Sequence, residues 1–117
     1  MTTTKVPFKI DFIASARKLS ASGQSSVSLF QHGDANLLLF VPTDQDTQVK
    51  HERDEIYVIA SGQGMFVRGK ERVPFRANDL LFVPAKTEHR FEEFSADFAT
   101  WVVFWGPQGG ERDNPFP

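Results

Sequence analysis

Two imidazoles and one carboxylate hold the chemistry this sequence offers most plainly: His51, Glu55 and His89. His51 stands at the edge of the stretch KHERDEIYVIASGQG, and His89 near the end of a second stretch, NDLLFVPAKTEHRF. Glu55 opens the strand-like run EIYVIA four residues after His51. If the strands of the two stretches pair, all three side chains converge on one point. Two histidines and a carboxylate bind a divalent transition metal such as Zn, Fe, Mn or Ni, and leave positions open for water or substrate. Without a metal, the same residues form a hydrogen-bonded cluster in which Glu55 pairs with an imidazolium.

Neighbouring residues are sorted by strand parity. Period two places Tyr57 and Ile59 on the face of Glu55, and Phe91 on the face of His89. Tyr57 and Phe91 are therefore the candidate ligand-binding residues. The Tyr57 hydroxyl either orients a ligand or, as buried tyrosines usually do, finds a backbone partner. Arg90 is expected to point outward. Glu52 and Asp54 could serve as substitute ligands but read as solvated loop charges. Lys50 and Arg53 could meet an anionic substrate at the mouth of the site, although exposed loop charge is their commoner fate. His32, next to Gly33, reads as a turn-edge residue.

The elements that must hold these groups read as strands. Val27–His32 and Leu37–Val41 flank the turn HGDAN. Glu55–Ala60 is the clearest strand, ended by Ser61 and Gly62. Met65–Arg68 and Arg72–Arg76 form a hairpin about Gly69 and Lys70, Leu80–Val83 is stopped by Pro84, and Glu88–Phe94 and Phe98–Trp105 follow. Trp101 and Trp105 share one face of the last strand. Phe8, Ile10 and Phe12 alternate with Lys9 and Asp11 as a half-buried strand would. Residues 13–19 fit either a helical turn or a continued strand, 20–26 read as a loop, and no amphipathic helix of ten residues is expected. So many short strands predict a sandwich or a small barrel, and closure would remove exposed edges.

With 117 residues the chain is expected to form one domain, 1–117, its barrel core spanning about 6–106, with an arm at 1–5 and a tail at 107–117 outside it. Twelve phenylalanines can fill such a core without disulfides, and the absence of cysteine excludes thiolate ligands and a Cys nucleophile. The net charge of -2 offers no footprint for nucleic acid, and no segment reads as a DNA-binding helix pair. The longest apolar run, Leu37–Pro42, is too short to cross a bilayer. The N-terminus shows no secretory signal, so a cytoplasmic location is expected. The aromatic load and the apolar N-terminal residues suggest a homodimer, the commonest closed oligomer.

These stretches resemble the two motifs of the cupins. In the first, His51 falls where the second motif histidine belongs, Glu55 follows after three residues, and Gly62 comes six residues later. In the second, Asn78 replaces a glycine, Pro84 follows after five residues, Lys86 replaces another glycine, His89 is in place and Glu93 replaces an asparagine. Val49 occupies the position of the first motif histidine. The resemblance covers roughly residues 43–105 and implies an all-β, single-domain jelly-roll β-barrel, in which family members often hold a metal by three histidines and a glutamate. The lost histidine implies a more open and weaker metal site here. Two functions follow: a metal-dependent enzyme (oxygenase, isomerase or hydrolase in type) acting on a small molecule, or a non-catalytic small-molecule binding or sensing module. No individual catalytic residue is assigned.

Overall fold

The computed structural model describes residues 7–43, 46 and 50–112. Among the described residues one helix, α1 (Phe12–Ser22), precedes eight strands: β1 (Ser26–His32), β2 (Ala35–Phe40), β3 (Asp54–Ser61), β4 (Gln63–Arg68), β5 (Glu71–Arg76), β6 (Leu80–Val83), β7 (His89–Glu92) and β8 (Ala99–Trp105). All pairings are antiparallel. They make a five-stranded sheet in the order β1-β2-β8-β3-β6 and a three-stranded sheet in the order β5-β4-β7.

The ladders among the described residues do not close into one ring. The two sheets are instead held face to face by their inward side chains, Tyr57, Ile59, Val83 and Val102 from the larger and Phe66, Phe75 and Phe91 from the smaller. Ring contacts bind this core, with Phe91 4.8 Å from both Tyr57 and Phe98. Two of the four edge strands carry a side-chain bond: Arg68 Nη1 donates to the Phe82 carbonyl on β6 (3.0 Å), and Asp46 Oδ2 accepts from Phe91 N–H on β7 (2.7 Å).

The N-terminal strand expected at Phe8–Phe12 is absent, and the expectation of no ten-residue helix is overturned by α1. Asp11 caps the helix, its Oδ2 accepting from Ala14 N–H at 2.8 Å, and Gly23 ends it in the left-handed conformation (φ 71°). Phe12, Ala16 and Leu19 then cover Leu39 and Trp101 on the outer face of the larger sheet. Phe8 is fully exposed and extends no sheet. Residues 1–6, which include the arm expected at 1–5, and Val49 lie outside the described residues. No helix among the described residues is long and apolar enough to cross a membrane.

Gly62 shows how tightly the sheets are joined. Its φ is 87°, and a Cβ there would lie 2.6 Å from the Phe98 Cα, so both conformation and space demand glycine.

Candidate metal centre and its cavity

The strands of the two histidine-bearing stretches pair, but the second stretch runs on past its paired strand before it reaches His89. β3 pairs with β6, matching Glu55 to Val83, whereas His89 opens β7 in the opposite sheet. Pro84 stops β6, and a tight turn (Thr87 N–H to Pro84 carbonyl, 3.3 Å) carries the chain from one sheet to the other. Lys86 sits in this turn with φ 67°. Among the described residues, the non-glycine residues with positive φ are Asn78, Lys86 and Glu93, the three positions where the sequence departs from the second motif.

His89 and Glu55 face each other across the interior, both buried (1% and 2% exposed), with Nε2 3.1 Å from Oε1. His51 lies at the mouth, 41% exposed, its Nε2 4.0 Å from the same oxygen. It is held there by its carbonyl, which accepts from Lys86 N–H at 2.6 Å, and by an edge contact with Phe104 at 5.0 Å. One ligand atom from each of the three residues falls within 4.8 Å of the others. The convergence expected from spacing is therefore present, and the group could hold a metal.

Hydrogen bonding tests the fit. His89 Nδ1 lies 2.9 Å from the Thr87 carbonyl, which can only accept, so in the neutral ring Nδ1 carries the proton and Nε2 a lone pair. That lone pair meets the Tyr57 hydroxyl at 3.0 Å, a side-chain partner rather than the backbone one expected for a buried tyrosine. Glu55 Oε1 lies 3.1 Å from His89 Nε2 and has no hydrogen-bond partner while that nitrogen carries a lone pair. A buried acceptor without a donor, facing a second lone pair, calls for positive charge between them. A divalent cation meets that need, and so does a proton on His89. Burial lowers the His89 pKa, but the Glu55 carboxylate and the Thr87 carbonyl outweigh it and leave it raised. Burial, with the Glu55 and Asp46 charges behind it, holds the Tyr57 phenol well above its usual value.

A cavity of about 310 Å³ opens beside the centre. Leu38, Phe40, Val102 and Phe104 form its apolar wall. Its polar lining is Ser25, Ser26, Asp46, His51, Glu55 and Tyr57. Asp46 went unrecognised in the sequence, where it is one acid in a polar loop. No local signal marks it, because its position comes from a bond to Phe91, 45 residues away. Burial raises the Asp46 pKa, against the lowering effect of the Phe91 N–H and the His89 charge.

Other candidates are placed elsewhere. Phe91 points inward as parity requires, yet it packs in the aromatic core and does not line the cavity. Asp54 is no solvated charge: it is 5% exposed, with Oδ1 accepting from Ala85 N–H and Oδ2 from Glu111 N–H, each at 2.9 Å. Its two oxygens face backbone donors, not the centre. The start of the tail docks on the same loops, Gly109 N–H meeting the Glu52 carbonyl at 2.6 Å. Arg53 is spent on the carbonyls of Gly106 and Asp34, and neither it nor Lys50 lines the cavity. His32 is an exposed residue at the end of β1, and Arg90 pairs with Glu92. Trp101 and Trp105 lie on the outer face, against Phe12 and Phe82.

Known proteins are similar to this chain in sequence or in fold. An uncharacterized protein of Streptomyces coelicolor is 33% identical over 63 residues, 54% of this chain and 60% of that protein. A cupin-2 domain containing protein of Shewanella frigidimarina superimposes with a TM-score of 0.64 at 17% identity, covering 83% of this chain and 94% of its own. A protein of Thermotoga maritima described as a predicted oxalate decarboxylase does so with a TM-score of 0.51 at 27% identity, covering 61% and 64%. The model of the cupin domain matches residues 36–105, from β2 through β8 and including His51, Glu55 and His89, and the chain belongs to that family.

Proposed function

We propose that this chain binds a divalent transition metal through His51, Glu55 and His89 and takes a small molecule into the adjoining cavity as a metal-dependent enzyme. The observation that carries the reading is the partnerless Glu55 Oε1, buried 3.1 Å from a His89 Nε2 whose ring is oriented by Thr87. A bound ion would supply Lewis acidity and open positions for water or substrate. The chain's own residues do the remainder. Thr87 fixes the His89 tautomer, the outer hydrogen bond that metal-ligating histidines generally make. Tyr57 O–H donates to His89 Nε2 in the metal-free state and turns to a ligand once that lone pair is engaged. The apolar wall excludes water from one side of the cavity while Asp46 stands among its polar groups.

A second reading, a metal-free binding module, is favoured by the raised His89 pKa: a protonated His89 satisfies Glu55 by itself. The two readings separate on elemental analysis of the purified chain and Co²⁺ uptake followed by visible absorption. The enzyme reading expects close to one equivalent of metal and d–d bands of Co²⁺ in wild type, lost in His89→Ala. Val49→His should strengthen uptake. No metal and no bands in any of the three proteins would leave the binding module.

A further inference from the structure

Resting on the cavity described above, we infer that its ligand is an uncharged or cationic small molecule, apolar on one side and carrying a hydroxyl or amine donor, with Asp46 as the residue that selects it. Two carboxylates, Glu55 and Asp46, line the cavity, and no lysine or arginine does so among the described residues. The loop around Asp46 supplies none by composition either, since positions 44, 45 and 47–49 are Asp, Gln, Thr, Gln and Val. Of the two cations nearest in sequence, Lys50 does not line the cavity and Arg53 is committed to two backbone carbonyls.

Among the described residues, an anionic ligand therefore meets no lysine or arginine here. Carboxylates and phosphates are normally met by an arginine fork or a lysine, and the described residues that line this cavity include neither. Even with a divalent ion on the centre, Glu55 and Asp46 balance its charge, and an anion would bring the cavity to a net negative. A donor group, by contrast, finds an acceptor ready. The Phe91 N–H occupies one of the roughly four lone-pair sites of the Asp46 carboxylate and fixes its orientation, leaving others for a ligand. The rest of the ligand lies against Leu38, Phe40, Val102 and Phe104, which offer nothing to a polar group. The size also fits: a cavity of about 310 Å³ holds the volume of about ten waters, or a ring with one substituent.

The test uses three probes of one skeleton, benzylamine, benzyl alcohol and benzoate, titrated by NMR and calorimetry into the full chain after chelator treatment. Expected is an order of benzylamine, then benzyl alcohol, then benzoate, with about tenfold or more between the first and the last. Asp46→Asn keeps an acceptor for Phe91 N–H and should shrink that gap to less than about threefold. Ser26→Arg, an exposed position at the cavity, should reverse the order. Benzoate binding as tightly as benzylamine, an order unmoved by Asp46→Asn, or no probe binding at millimolar concentration would each overturn the inference. Metal uptake is measured on the same preparations. An intact order without metal uptake overturns the metal centre alone, and metal uptake without the order overturns the ligand class alone.

Discussion

Asp54 and Glu55 are neighbours in sequence, acids of equal charge, and almost equally buried, yet the fold uses them in opposite ways. Strand parity sends one to each side of β3. Asp54 turns toward the tail and the β6–β7 turn, where Ala85 and Glu111 N–H groups take one oxygen each. Glu55 turns inward, where Oε1 is left without a donor beside His89. A buried carboxylate matched by backbone donors is a fastener. One left unmatched needs positive charge, from a proton on His89 or, as proposed, from a bound ion. Burial alone does not distinguish a structural acid from a functional one; the census of hydrogen bonds does.

Breaking the fastener should give the largest loss of stability. Asp54→Ala leaves two backbone N–H groups unpaired, one at the turn carrying Lys86 and one in the tail. A cost of about 2–4 kcal/mol is expected, seen as a lower urea midpoint at unchanged slope. Glu55→Gln should do the reverse in the metal-free chain at a pH where His89 is neutral, holding or raising stability by up to about 1 kcal/mol, because an unmatched buried charge is removed. A loss of more than about 2 kcal/mol there would mean that Glu55 is structural after all.

A smaller gain is expected at Lys86, whose φ of 67° is strained for any residue but glycine. Lys86→Gly should stabilise by about 0.5–1 kcal/mol, the relief of backbone strain being partly offset by a freer unfolded chain. Thermal unfolding checks this, and a destabilised variant would show that the lysine side chain contributes more than the turn conformation.

The smallest effect is the pH dependence of the metal-free chain. The His89 pKa is raised above its ordinary 6.5 on folding, so its contribution to stability is complete below that pH. It is lost as pH rises through the folded value, and Glu55→Gln should flatten the slope. Metal uptake runs the other way, strengthening with pH because His89 must give up its proton. Denaturation midpoints across that range, with and without chelator, read both signs.

Much of this was legible in the sequence. The spacing of His51, Glu55 and His89 and the period-two burial of Tyr57, Ile59 and Phe91 are local patterns, and the structure keeps them. The helix was hidden because its apolar stripe is thin and its last turn is rich in serine, although Asp11 and Gly23 mark its ends. The division into two sheets could not be read from strand spacing, since it depends on which face each turn delivers. Asp46 and Asp54 were misjudged for one reason. Their partners, Phe91, Ala85 and Glu111, are 31 to 57 residues away, and polar loop residues carry no periodicity to announce such contacts.

The central claim, that Glu55 is left unmatched to meet a metal, is tested most directly by calorimetric titration of Zn²⁺ into wild type and Glu55→Gln at neutral pH. One equivalent should bind wild type, and Glu55→Gln should bind at least about tenfold more weakly while remaining folded. Equal uptake by the two proteins, or none by wild type, would contradict it.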